Sequence, residues 1–337
     1  MFENLIFLLF AVSITYLANK KNLIPNFTGD PHQKFFKQEK VPLIGGILIL
    51  ISLSRFYLND IIILSFVAIF LVGFLSDSKI LSSPKLRFFL QLIVVSSLIF
   101  YFKIEVTPTR IDFIDNLLLN KTSSLIFSIF CFMILINGSN FIDGLNGLLL
   151  GYVLLIIFVL KLNGFITFYE MGETKMNYLI FSFIFIIFLN YLNYLFLGDG
   201  GAYLLGLFIG YVLVSIYNSY SIISPYYIIL LLWYPCFENL FSLLRKFINA
   251  KSPFKPDNKH LHQLIFLFLK SKIKRNDLNV NIISSLMINF FNLCIFMVAS
   301  INPSLTIFQL ELLLLCLFTY CLIYFILDKK ARLVSKK

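Results

Sequence analysis

Eleven apolar runs, each with at most one charged residue, recur along this chain of 337 residues and leave it few ways to fold. A backbone surrounded by lipid finds no water for its N–H and C=O groups, so a spanning segment must satisfy them within itself, as a helix. The runs cover residues 3–18, 41–58, 61–75, 88–103, 123–139, 145–162, 177–195, 201–217, 225–243, 281–300 and 305–327. Several fall short of the ~20 residues of a straight crossing, which leaves their ends soft by a few positions. Only 13% of the residues are charged, against roughly 25% in soluble domains, so a large soluble core is excluded. The expected fold class is all-α: a polytopic integral membrane protein of about 11 transmembrane helices, forming a single domain over 1–337.

Charge sets the orientation. With eleven spans the termini lie on opposite sides. The segments after spans 1, 3, 5, 7 and 9, together with the C-terminus, hold 22 of the 28 Lys and Arg residues, and the other side holds 6. Positive loops stay in the cytoplasm, which places Met1 outside and Lys329–Lys337 inside. The net charge of +11 is thereby explained without a nucleic-acid partner. Span 1 has no small-residue cleavage site after it and is expected to be a retained helix. The five cysteines lie in apolar runs without metal-like spacing, as core or lipid-facing residues. The Leu264–Leu269 run, flanked by charge, reads as a helix lying on the membrane surface.

This topology gathers the chemically versatile residues on one face. Between spans 5 and 6 runs N-G-S-N-F-I-D-G-L-N-G-L-L-L-G, Asn137–Gly151. Asn137, Asn140 and Asp143 fall three residues apart, so a helix puts them on one side. Polar groups at a membrane boundary are costly to desolvate unless they hold something. Caps of two neighbouring helices are the plainer explanation, but a cap needs one such residue and this stretch offers several. After span 7, Asp199 is flanked by Gly198, Gly200 and Gly201 at the start of the next run. A carboxylate there repels phosphate unless a divalent cation bridges the two, and Mg²⁺ does so with one or two protein carboxylates plus phosphate and water. Asp77, in G-F-L-S-D-S-K before S-S-P-K-L-R (Ser82–Arg87), would by itself suit a solvated or Lys79-paired acid. The cytoplasmic loop over 244–280 holds Arg245, Asp257, His260 and His262. On a regular strand or helix those two histidines point well apart, which makes them a poor zinc pair but suits contact with an anion.

Taken together, these loops resemble the bacterial polyprenyl-phosphate N-acetylhexosamine-1-phosphate transferases. V-P-L-I-G-G (Val41–Gly46) looks like the family's proline–glycine–glycine motif, G-F-L-S-D its G-x-x-D-D, N-G-S-N-F-I-D-G-L-N-G its N-A-x-N-F-x-D-G-x-D-G, G-D-G-G-A-Y its G-D-x-G-S, and S-P-F-K-P-D-N-K-H-L-H-Q its His-rich loop. Five motifs in order are far more specific than any one. The resemblance implies a multi-pass protein of the bacterial inner membrane with an active cleft on its cytoplasmic face. There it would move a HexNAc-1-phosphate from a UDP-N-acetylhexosamine such as UDP-GlcNAc to undecaprenyl phosphate, releasing UMP and initiating a cell-surface glycan such as O-antigen. It further implies Mg²⁺, or Mn²⁺ in its place, held by Asn140 and Asp199. Asp77, Asp143, Asp199, His260 and His262 would serve catalysis, and Lys37, Lys40, Asn137, Asn146, Arg245 and Asp257 would bind substrate. The bilayer is the other partner, with a homodimer as the open oligomeric option. Departures stand at Ser76 (the family's first acid), Asn146 (a second acid), Glu238 (near an Asp), Gln263 (the last His) and Asn190, one residue out of register. With serine at 76, Asp77 alone offers a negative charge in that loop, so substitutions are expected to be mild at 76 and severe at 77. An inactive relative serving in assembly is the alternative those departures motivate. A transporter would carry acids within its spans, where Glu311 is the main exception here.

Overall fold

The computed structural model describes residues 2–21, 26–27, 41–57, 60–106, 108–165, 173–220, 222–250, 252, 259–273 and 276–334. Among these the chain is all-helical apart from one antiparallel pair of two-residue strands, β1 (Asn26–Phe27) and β2 (Val41–Pro42). The helices are α1 (Phe2–Lys21), α2 (Gly45–Tyr57), α3 (Ile62–Asp77), α4 (Pro84–Phe102), α5 (Asp112–Leu118), α6 (Lys121–Ile142), α7 (Leu148–Leu162), α8 (Glu173–Tyr191) and α9 (Gly198–Ser219). There follow α10 (Pro225–Leu231), α11 (Trp233–Ile248), α12 (Leu261–Lys272), α13 (Asp277–Ala299) and α14 (Thr306–Val334). Six of them, α4, α6, α8, α9, α13 and α14, are long and apolar enough to cross a membrane, and the bent pair α10–α11 makes a seventh if counted as one span. Helices α2, α3 and α7 are apolar but shorter. Leu9, Phe100, Phe290 and Phe318 lie more than half exposed, an outward apolar surface that suits lipid. The chain is a multi-pass membrane protein.

Helix boundaries follow local chemistry. Ser83 accepts the Leu86 N–H at 3.4 Å and Pro84 takes the first turn of α4, where its missing N–H costs nothing. Asn120 caps α6 by accepting from Thr122 (2.9 Å) and Ser123 (3.4 Å). The run at 41–58 becomes helical only from Gly45, after β2.

Helix α9 is the axis of the molecule. It is buried along most of its length and packs against α2, α3 and α6. Two glycines on its neighbours permit this closeness: a Cβ at Gly46 would stand 2.6 Å from the Gly201 nitrogen, and one at Gly73 would run into the Gly200 backbone. The start of α2 is tied to the residues just before α9 by Gly45 N–H to Phe196 O (2.9 Å) and Gly46 N–H to Leu197 O (3.1 Å). The ends of α2, α3 and α9 therefore converge at Asp199.

The run at 225–243, expected as one span, is instead two helices bent by 76° at Leu232. Pro235 explains the break. It has no N–H to donate to Leu231 O, four residues back, and its ring would clash with that carbonyl in a straight helix. The freed carbonyl accepts from the Tyr152 hydroxyl at 2.9 Å, so no buried acceptor is left open. The Leu264–Leu269 run lies within the twelve-residue α12, packed against α13 and α14.

Candidate active site

Asp199 sits in the first turn of α9, after Gly198, whose φ of 73° is the left-handed conformation that glycine adopts without strain. Its carboxylate is held from three helices. Oδ1 accepts from Asn140 Nδ2 of α6 at 2.7 Å. Oδ2 accepts from Ser76 Oγ of α3 at 2.7 Å and from Arg87 Nη1 of α4 at 2.9 Å. Arg87 also donates to Ser76 Oγ at 2.7 Å, closing a triangle. Asp77 turns to the backbone instead: its two oxygens accept the N–H groups of Asp199 (3.0 Å) and Gly200 (3.2 Å). It thus caps α9 from a neighbouring helix, where the positive end of the helix dipole favours an acid.

Asp143 ends α6 as its C-cap, with its N–H to Asn140 O at 3.4 Å. Burial, and then the charges of Asp199 and Asp77, push its carboxyl well above the usual carboxylate range. Asn137, two turns earlier, donates to Gln91 Oε1 (3.1 Å) and Met133 O (2.9 Å), joining α6 to α4. Asn146 is buried and faces inward: Nδ2 donates to Asn190 O and Asn193 Oδ1, both at 2.7 Å, and its N–H donates to Asn281 Oδ1 at 2.8 Å. Asn190 Oδ1 accepts the Gly147 N–H at 2.6 Å, and Asn289 donates to Gly147 O at 3.2 Å. A cradle of asparagines thus fixes the turn between α6 and α7.

The histidines complete this corner. His260 is the N-cap of α12 with extended backbone, and His262 lies in the first turn. Because the pair straddles a helix start, it has neither strand nor helix spacing. The expectation that the two side chains diverge is corrected: their rings stack at 5.7 Å and 7°. His260 Nδ1 lies 2.9 Å from Glu238 Oε1 of α11, and its ring lies 5.0 Å from Phe141. Gln263, standing where the resembled family has a histidine, accepts the His260 N–H at 3.2 Å as half of a capping box. His262 is fully buried and packs so closely on Gly144 that a Cβ there would strike its Nε2. Burial pushes the His262 ring down to about 3, so it is neutral at physiological pH. Arg245 donates to Lys259 O at 2.6 Å and to the Tyr324 hydroxyl, tying the loop to α14. Lys37, Lys40 and Asp257 lie outside the described residues.

Arg87, within S-S-P-K-L-R, and Glu238, a departure from the resembled family, have no role that the sequence alone points to. Nothing in a window around either residue signals a partner 112 or 22 positions away. Among the described residues no three His, Cys, Asp or Glu side chains are arranged to hold a metal. The donor chemistry still suits Mg²⁺. Asp199, paired with Arg87, and the amide oxygen of Asn140 offer the one or two hard ligands this ion takes from protein, with Asp77 and Asp143 close enough to influence each other's ionisation. A divalent cation would offset the repulsion between these acids and an anionic substrate.

Residues 60–217 match the sequence model of glycosyl transferase family 4, a stretch holding Ser76, Asp77, Arg87, Asn137–Gly151 and Asp199. Over 317 residues, 93% of this chain and 94% of the relative, the sequence is 27% identical to the undecaprenyl-phosphate alpha-N-acetylglucosaminyl 1-phosphate transferase of Thermotoga maritima. It is 25% identical over 284 residues, 77% of this chain and 75% of the relative, to a probable undecaprenyl-phosphate N-acetylglucosaminyl 1-phosphate transferase of Bacillus subtilis.

Proposed function

We propose that this chain, whose residues 60–217 match the glycosyl transferase family 4 model, is a member of that family and transfers N-acetylglucosamine-1-phosphate, or a related HexNAc-1-phosphate, from its UDP-sugar to undecaprenyl phosphate. In this reaction an oxygen of the lipid phosphate attacks the β-phosphorus of the UDP-sugar. The bond from that phosphorus to the bridging oxygen breaks, and UMP leaves. Undecaprenyl-diphosphate-HexNAc is the product, made at the cytoplasmic face of the inner membrane to start a surface glycan. The names of the two relatives support the transferred group and the acceptor. For eleven spans, the 22-to-6 distribution of Lys and Arg supports an N-terminus outside.

The observation that carries the reading is Asp199 at the start of a buried helix, with both carboxylate oxygens held by α3, α4 and α6. Two anionic substrates must meet here, so catalysis consists mainly of positioning and charge stabilisation. Asp199 and Asn140 are the residues that would hold Mg²⁺, which when bound supplies charge neutralisation at the diphosphate. Asp77 fixes the start of α9 and so the place of Asp199. Asp143, made a weaker acid by its surroundings, can keep or take up a proton beside the nucleotide. His260 and His262 face the diphosphate, Lys37, Lys40, Asn137, Arg245 and Asp257 serve to bind the substrates, and Asn146 shapes the turn. The test is transfer of radiolabel from UDP-GlcNAc to lipid by the purified protein, with the nucleotide product identified by chromatography. UMP and labelled lipid are expected. UDP as product would refute sugar-phosphate transfer, and no transfer would leave the inactive assembly relative. A C-terminal phosphatase fusion that is active outside the cell would reverse the topology.

A further inference from the structure

Glu238 is fully buried on α11. A carboxylate in such a place is costly unless its oxygens are engaged. Both are, and by adjacent residues at the start of α12: Oε1 faces His260 Nδ1 at 2.9 Å, and Oε2 accepts the Leu261 N–H at 3.3 Å. Helix α11 carries this acid to a fixed height. Gly138 of α6 lies directly against the Pro235 carbonyl, and Asn239 donates to Ile134 O of α6 at 2.9 Å, so α11 cannot slide along α6. The same helix α6 carries Asn140 and ends at Asp143. The break at Leu232 is what swings α11 into this contact.

A carboxylate at Nδ1 selects the ring form that carries its hydrogen there and leaves Nε2 as the other working nitrogen. His260 keeps only 5% of its surface open, so its orientation is set by these contacts, by stacking on His262 and by packing against the tilted ring of Phe141. Among the described residues His262, by contrast, has neither ring nitrogen hydrogen-bonded. We propose that Glu238 is the positioning residue of the histidine pair. It holds His260 in the Nδ1–H form so that Nε2 is offered to the diphosphate, and through the stack it keeps His262 against Gly144. The inference rests on the reading above that this pair faces the diphosphate.

Two measurements test it. The sequence has three histidines, His32, His260 and His262, so ¹⁵N spectra of histidine-labelled protein are readily assigned with H260Q. His260 is expected to carry hydrogen on Nδ1 in the wild type and to lose that preference in E238Q and E238A. An unchanged His260 pattern in both variants overturns the proposal, whatever reaction the protein performs. In the second arm, UMP release by E238A is expected to fall on the order of 100-fold in kcat, the scale of a displaced catalytic group. KM for the UDP-sugar should stay within about threefold, since binding is spared. E238D, which restores a carboxylate, should recover part of the loss, and E238A/H260A should be no slower than H260A. Losses that multiply in the double variant show independent roles and overturn it. Where E238A does not fold, the isosteric E238Q carries both arms. If the wild type releases no UMP, the proposed function fails while the spectra still decide the Glu238–His260 pairing.

Discussion

Replacing Asp77 separates two tasks that a carboxylate can perform at this site. By sequence it is the only charge in its loop able to serve as acid, base or ligand, and any neutral replacement should be equally harmful. In the structure it caps α9 through the N–H groups of Asp199 and Gly200, at 3.0 and 3.2 Å. Hydrogen bonds contribute ~0.5–1.5 kcal/mol each, and ~1.5–3 kcal/mol to a charged group, so Asp77→Ala, which loses two, removes roughly 2–4 kcal/mol. Asn is as good a cap as Asp but accepts with one oxygen, so Asp77→Asn should cost about 1–2 kcal/mol. If that energy is what holds Asp199 in place for the reaction, the rate falls about 5- to 30-fold in Asn and about 30- to 900-fold in Ala. Ser76→Ala is the control. Arg87 still reaches Asp199 Oδ2 at 2.9 Å without the hydroxyl, so the loss should stay below about tenfold, the scale of one ordinary hydrogen bond. Initial rates of UMP release at saturating Mg²⁺, beside thermal unfolding in the same detergent, give the comparison. Equal inactivity of Asn and Ala, with Asn as stable as wild type, would refute the capping argument and return Asp77 to the chemistry.

Asp199→Asn should fall below about a tenth of the wild-type rate, a loss of at least ~1.4 kcal/mol, with melting temperature little changed; a rate above that removes its role as ligand. Tyr152→Phe leaves the Leu231 carbonyl at the break of α10–α11 without its donor, and should lower stability by ~1–3 kcal/mol in denaturation of the purified protein. His262 titrates near 6.5 when unfolded and at about 3 in the fold, so between those values the unfolded chain binds the extra proton and stability falls as pH falls. The unfolding free energy of the wild type minus that of His262→Gln should therefore decline from about pH 6.5 downward, at up to ~1.4 kcal/mol per pH unit, and a flat difference would show the ring to be solvated. Gly144→Ala should push His262 out of its place and cut UMP release with little change in expression, since a Cβ there strikes only that ring.

The apolar runs determined by themselves that this chain is a bundle of membrane helices, because hydropathy and helix formation are properties of contiguous residues. The same locality made Asn137, Asn140, Asp143 and Asp199 legible: spacing on one helix and glycines beside an acid are visible in a short window. The break before Pro235 was also in the sequence, though span counting passed over it. What each polar group faces was decided only by the tertiary structure. Asn146 is expected by resemblance to bind substrate, and asparagines 44, 47 and 135 positions away turn it inward. Ser76 and Arg87 meet on Asp199 because Gly46 and Gly73 let α2 and α3 approach α9 almost backbone to backbone. The two histidines stack because one ends a loop and the other begins a helix, a boundary that spacing alone does not show. Periodicity fixes the direction of a side chain within one element, but the group it meets depends on how closely a second element can pack, and here that closeness was set by glycines and a proline on other helices.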